Sequence, residues 1–290
     1  MRIYKGRTFA SVYSESLNDL LNNPEHETSP RGLKIKECTN TSLVIEKPEL
    51  CLYTNERRSS QFKYIAAELL WYFTGRNDLD FIERYSAFWR QIANENGTLN
   101  SAYGNLIFSS KNEYGYSQWS WAIKSLIDDK DTRQALMTFN RPSYQYDGNR
   151  DFICTLNGIF NIRNNKLNLT INMRSNDAIL GTPTDIAFFC LLQQQALIIL
   201  KEYYPELELG TYTHIANSYH IYERHFDLVS GMLDNPFIPE SFMTIGCSFV
   251  NKEGEPTAEL LELMDSVENS IEYKGKDPLF KWIHYQCSEK

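Results

Sequence analysis

FICTLNGIFNIRNNKLNLTINM, the stretch from Phe152 to Met173, reads as a β-hairpin and decides the class of fold. In its second half Leu167, Leu169, Ile171 and Met173 alternate with polar residues, the pattern of a strand with one buried face. Asn164 and Asn165 stand at the head, where a two-residue turn needs positive φ and asparagine tolerates it. With Arg163 facing Lys166, pairing outward sets Cys154 opposite Ser175 and Thr155 opposite Arg174. Thiol and guanidinium then occupy neighbouring strand positions, with facing Cβ atoms about 5 Å apart. A one-residue slip would change which face each occupies.

Two helices flank this hairpin in sequence. From Gln61 to Thr74, Phe62, Ile65, Ala66, Leu69, Leu70 and Phe73 recur at helical spacing, which predicts an amphipathic helix capped by Ser59 and Ser60. A second helix is expected from about Asp185 to Tyr203, started by Pro183-Thr184. Ile186 to Leu200 is nearly all apolar, so that helix should lie deep in the core.

The chain has 290 residues, 42% of them hydrophobic and 23% charged, ordinary for a globular protein. No repeat, low-complexity block or Pro/Gly/Ser-rich linker divides it, so residues 1–290 are expected to form one domain. A net charge of −8 argues against polymeric nucleic acid or an acidic membrane as partner, because both demand clustered Lys and Arg. Cys38, Cys51, Cys154, Cys190, Cys247 and Cys287 show no CxxC pair and no zinc-ligand spacing, so no metal is expected. Scattered thiols and the absence of a signal-like or membrane-spanning apolar run suggest the cytosol, that of a host if the source is viral.

A thiol beside a fixed cation is the arrangement that keeps a cysteine nucleophilic, although a lone strand cysteine is more often a small core residue. The polar run Arg174-Ser175-Asn176-Asp177, placed between the strand and Gly181-Thr182-Pro183, looks like a lined site. Asp177 could equally be a turn or cap residue.

The segment RSNDAILGTPTDIA, Arg174 to Ala187, resembles the signature of the thymidylate synthase superfamily. Glu68-Leu69-Leu70-Trp71 resembles the ELLW helix of that family, and Trp89 and Tyr103-Gly104 two motifs that follow it. Asp131-Thr132-Arg133 is similar to its phosphate-binding arginine segment and His220-Ile221-Tyr222 to its HxY ribose clamp. The resemblance implies an α+β fold, a mixed sheet covered by helices, in a sheet-to-sheet homodimer with shared sites. It implies that Cys154 attacks C6 of a pyrimidine nucleotide and that 5,10-methylenetetrahydrofolate is the co-substrate. Arg31, Arg174 and Ser175 would hold the 5′-phosphate, with Arg133 from the partner, since guanidinium forks match phosphate oxygens. His220 and Tyr222 would bind the ribose, and Trp89, Asp177 and Gly181 the folate. Glu68, at the end of a rigid, mostly buried helix, would organise water and proton transfer.

Where the signature normally ends in Asn, which suits uracil, this chain has Asp185. Cytosine presents an acceptor at N3 and a donor at N4, which a carboxyl group meets by sharing a proton and accepting from the amine. An ionised Asp facing uracil O4 would oppose two acceptors, at about 1–3 kcal/mol for the unpaired group. Asp185 resembles the deoxycytidylate hydroxymethylase branch, in which water captures the C5 methylene. Cytidylate methylation, a dUMP methylase, a ribonucleotide substrate and a silent binding or assembly role remain the alternatives. Thr155, Ser218, Gln134 and the Gln286–Lys290 tail depart from the usual thymidylate synthase pattern.

Overall fold

The computed structural model describes residues 1–242 and 248–288; Cys247, Glu289 and Lys290 lie outside them. Its strands are β1 (Arg2–Gly6), β2 (His26–Thr28), β3 (Ile35–Ile45), β4 (Leu52–Thr54), β5 (Leu136–Thr138), β6 (Thr155–Arg163), β7 (Lys166–Met173), β8 (Asn176–Asp177), β9 (Glu208–Tyr222) and β10 (Ile238–Glu240). The α-helices are α1 (Phe9–Asn22), α2 (Phe62–Phe73), α3 (Leu79–Ile82), α4 (Phe88–Ile92), α5 (Gln118–Asp128), α6 (Thr182–Leu200), α7 (Phe226–Leu233), α8 (Ala258–Glu268) and α9 (Pro278–Ser288). One mixed sheet runs β1-β3-β9-β7-β6-β5, with β2 beside β3 and β8 beside β9. This is the expected α+β class.

The β6–β7 hairpin forms where the sequence places it, and Asn164 and Asn165 take φ values of 51° and 58°. Its register holds from Arg163–Lys166 to Asn157–Asn172 and then shifts. Leu156 is the extra residue of a bulge, so Thr155 faces Met173, and the Arg174 N–H bonds the Cys154 carbonyl at 2.9 Å. The expected pairs Cys154–Ser175 and Thr155–Arg174 are therefore each one residue out. A bulge bends the strand and re-aims its side chains. Here Thr155 turns fully into the core, and Cys154 stays half-buried directly opposite Arg174.

One face of the sheet is covered by α6, which packs on β7 and β9 and is itself covered by α2 and α5. Leu167, Leu169, Ile171 and Met173 all point into this core. By length and hydropathy α6 could cross a membrane, but it is buried inside the fold. It starts at Thr182 rather than Asp185, because Pro183 already fits the first turn, and it ends at Leu200 rather than Tyr203. The opposite sheet face carries half-buried Asn157, Ile159, Thr170, Asn172, Thr213 and Ile215, with Asn172 donating to Asn157 at 2.8 Å.

The helix α2 differs from its expected amphipathic form, since every residue from Ile65 to Phe73 is buried. Both α6 and α9 pack on it, so even its polar side is covered. Gln61 holds the cap position without a side-chain capping bond, and the expected caps serve elsewhere: Ser59 Oγ accepts from Asn55 N–H and Ser60 Oγ from Tyr53 N–H. Gly104 lets the following turn, Asn105–Ser109, touch this helix, because a Cβ there would lie 1.8 Å from the Tyr72 carbonyl oxygen. Overpacking against backbone costs about 1–3 kcal/mol or more. Gly104→Ala should therefore lose at least about 3 kcal/mol in urea unfolding, and unchanged stability would show that this contact is not made.

Candidate active site

Spacing of four residues sets Tyr64, Glu68 and Tyr72 along one face of α2. Both phenols donate to Glu68 Oε1, at 2.8 and 3.2 Å, and the Trp89 indole N–H donates to the Tyr64 oxygen at 3.0 Å. Glu68 lies in the middle of the helix, not at its end, and is 6% exposed. Burial, followed by the charge of Asp185, pushes its carboxyl from 4.5 up to about 8. Sequence reasoning missed the two tyrosines, although their i−4 and i+4 spacing from Glu68 was a readable signal.

The raised value has a stability consequence. Between 4.5 and about 8 the native state keeps a proton that unfolded Glu68 has released, so this contribution is full below 4.5 and lost as pH rises through about 8. Glu68→Gln, isosteric and always neutral, should lose less stability than the wild type over that window in urea titrations. Parallel pH dependences would rule out the buried proton.

Cys154 and Arg174 meet across the bulge. Arg174 Nη2 donates to Cys154 Sγ at 3.4 Å, and the same guanidinium is held by the Phe152 and Ile153 carbonyls and lies 4.7 Å over the Phe152 ring. Burial pushes the Cys154 thiol up, while Arg174, and next Arg31, pull it down against the charges of Asp185 and Asp151. The cation thus offsets part of the desolvation that disfavours the thiolate.

Asp185 sits in the first turn of α6, and burial raises its carboxyl from 3.8 to about 7. Asn176 Nδ2 donates to Asp185 Oδ2 at 2.8 Å. Behind Asn176, its Oδ1 meets the Thr182 hydroxyl and His214 Nε2, the latter at 3.1 Å, and His214 Nδ1 meets the Tyr212 hydroxyl at 2.9 Å. Asn176, Thr182, His214 and Tyr212 are all buried; the sequence showed the first two only as members of the polar run and the signature segment, and His214 and Tyr212 were not singled out. A His two residues from a Tyr on a buried strand was the available signal. Gly181 is small for a local reason: a Cβ would lie 3.0 Å from Asn176 Nδ2 and 3.3 Å from Asp185 Oδ2.

The other expected residues divide. Arg31 is exposed on the turn Pro30–Gly32 at φ 53°, and its charge reaches both Cys154 and His220. Ser175 is half-buried between β7 and β8. His220 lies beside Asp177 in register, contacts Ser218 Oγ at 3.4 Å and meets Tyr222 edge-on at 5.2 Å between ring centres. Asp177 Oδ1 accepts the Ile179 and Leu180 N–H groups, which is the turn role. Arg133 stands exposed just before Ala135, whose carbonyl bonds Phe160 near the far end of β6. At about 3.3 Å per strand residue, most of β6 separates it from Cys154, so a single chain does not bring it to the site. Among the described residues no group of three or more His, Cys, Asp or Glu side chains converges to hold a metal ion.

Known proteins resemble this chain in sequence and in fold. The thymidylate synthase family model matches residues 11–258. The deoxycytidylate 5-hydroxymethyltransferases of Enterobacteria phages T6 and T4 are 32% and 31% identical over 205 residues, 68% of this chain and 80% of each relative. A deoxyuridylate hydroxymethyltransferase of Bacillus phage SP01 is 27% identical over 234 residues, 77% of this chain and 59% of that protein. Among solved structures, a thermostable thymidylate synthase A from Bacillus subtilis matches with a TM-score of 0.64 at 21% identity, over 85% of this chain and 89% of that one, a likeness of fold. A family match across most of the length, together with a relative above 30% identity, establishes that the chain belongs to the thymidylate synthase family of one-carbon transferases.

Proposed function

We propose that the protein is a pyrimidine nucleotide C5 hydroxymethyltransferase, converting dCMP, 5,10-methylenetetrahydrofolate and water to 5-hydroxymethyl-dCMP and tetrahydrofolate. The observation that carries the reading is the half-buried Asp185 carboxyl, raised to about 7 and held by Asn176. Cytosine N3 and this carboxyl can share one proton whichever of them holds it, while either oxygen accepts from the N4 amine. Uracil tolerates only the protonated acid, since an ionised one faces its O4 acceptor to acceptor. Two protonation states thus serve cytosine and one serves uracil. The names of the phage T6 and T4 relatives point the same way.

On this reading Cys154 Sγ bonds C6 of the base, C5 attacks the folate methylene, and loss of the C5 proton with departure of tetrahydrofolate leaves an exocyclic methylene. Water adds to that carbon, and expulsion of Cys154 restores the ring. Glu68 holds and orients the water through Oε2, since Oε1 is taken by two phenols. Arg31, Arg174 and Ser175 hold the 5′-phosphate, and His220 with Tyr222 the ribose. For the folate, Trp89 offers a ring whose N–H is already satisfied, and Asp177 offers Oδ2, because Oδ1 is engaged in the turn. The half-buried sheet face of Asn157, Ile159 and Thr170 is the surface for a second copy, which would supply Arg133.

The test is direct competition. Protein incubated with methylenetetrahydrofolate and equal dCMP, CMP and dUMP should yield chiefly a dCMP product heavier by CH2O. A gain of CH2 would mean methylation, and faster turnover of dUMP would overturn the cytosine assignment.

A further inference from the structure

A neutral carboxyl has a weakness as a base reader. It carries one donor and one acceptor, and if the proton can move between its oxygens it pairs with cytosine or, reversed, with uracil. Discrimination therefore needs something that decides which oxygen accepts.

The buried hydrogen bonds behind Asp185 have a direction. Asn176 Nδ2 can only donate, so Asp185 Oδ2 must accept. Asn176 Oδ1 can only accept, so His214 Nε2 must carry the hydrogen in their contact. His214 is fully buried and held neutral, its pKa down at about 3, so its Nδ1 is bare and accepts from the Tyr212 hydroxyl. The Thr182 hydroxyl reaches two acceptors, the Asp177 carbonyl at 3.2 Å and, closer, Asn176 Oδ1, and donation along the shorter contact opposes a flip of the amide. Gly181 supplies the clearance in which Asn176 and Asp185 meet.

We propose that Tyr212, His214 and Asn176 form a one-way hydrogen-bond chain that commits Asp185 Oδ2 as an acceptor, making Asn176 and His214 positioning residues that restrict the site to an aminopyrimidine. The chain touches no substrate; it acts through Asp185, and it rests on the cytosine reading above. On the cytosine reading Oδ1 faces N3 and Oδ2 the N4 amine, so with Oδ2 committed the acid proton belongs on Oδ1 and the carboxyl presents one donor–acceptor pattern instead of two. Removing the chain restores the second pattern, so the expected loss is in discrimination rather than in turnover.

The experiment measures kcat/KM for dCMP and for dUMP in the wild type, Asn176→Ala and Tyr212→Phe. Asn176→Ala should lower the dCMP-to-dUMP ratio at least about tenfold, with dUMP turnover held or raised. Tyr212→Phe lets His214 adopt its other tautomer and should lower the ratio about threefold; because it keeps a fully buried ring, it decides if Asn176→Ala does not fold. Equal losses on both nucleotides, or a wild-type dCMP preference that survives both variants, overturn the chain alone. A wild-type preference for dUMP overturns the cytosine reading and the chain with it.

Discussion

Cys154→Ser should abolish turnover, by about 10^4-fold or more, while leaving the fold and nucleotide binding intact. A hydroxyl at this position can still accept from Arg174 Nη2, which now lies 3.4 Å from the sulfur, so the local geometry survives. What is lost is the ability to add to C6, because serine has no neighbouring base and remains a neutral alcohol. Half-burial of residue 154 limits the packing change, so the melting temperature should move little. Single-turnover product analysis with dCMP and methylenetetrahydrofolate, beside nucleotide binding by calorimetry, checks both halves. Retained turnover would remove Cys154 from the mechanism; lost binding would make its role structural.

Asp185→Ala should abolish the choice of base. Without the carboxyl, cytosine N3 and N4 both lose their partners, whereas uracil loses only a donor–acceptor pair already set against it. Two unpaired groups at about 1–3 kcal/mol each amount to roughly 30-fold to 10^4-fold in relative kcat/KM. The dCMP-to-dUMP ratio should therefore fall by about 10^3-fold, almost all of it through loss on dCMP. In the wild type, kcat/KM for dCMP should also decline as pH rises through about 7, where the carboxyl loses the proton it shares with N3. If the Asp185→Ala protein keeps the wild-type preference for dCMP, this residue does not face the base.

The candidate site residues were legible to different depths. Glu68 and Asp185 were identified as residues by their motifs, yet their protonation follows from desolvation that only folding brings about, for Glu68 through the packing of α6 and α9 on α2. Asn176 read as one polar member of a run that could have been a loop. Its partner His214 lies 38 residues away along the chain, and only the pairing of β8 with β9 and of β7 with β9 brings the two together. The hairpin was legible because alternation and an Asn-Asn turn are local. Its bulge was not, since Leu156 fits the alternating pattern as well as its neighbours and becomes the extra residue only when β6 is pinned between β5 and β7. The helix α2 was misjudged for a related reason: a helix shows its own apolar face, not what later arrives to cover the other.

The sequence by itself determined the strand and helix periods, the positive-φ turn, the order of the family motifs and the presence of a carboxyl where an amide is usual. These depend on residue type and covalent spacing, which need no neighbour to be defined. Only the tertiary structure decided that Cys154 faces Arg174 through a bulge, that Glu68 and Asp185 are desolvated enough to hold protons near neutrality, and that Asn176 points its amide at Asp185. Desolvation and hydrogen-bond direction are properties of groups packed around an atom, and in this fold those groups come from distant parts of the chain.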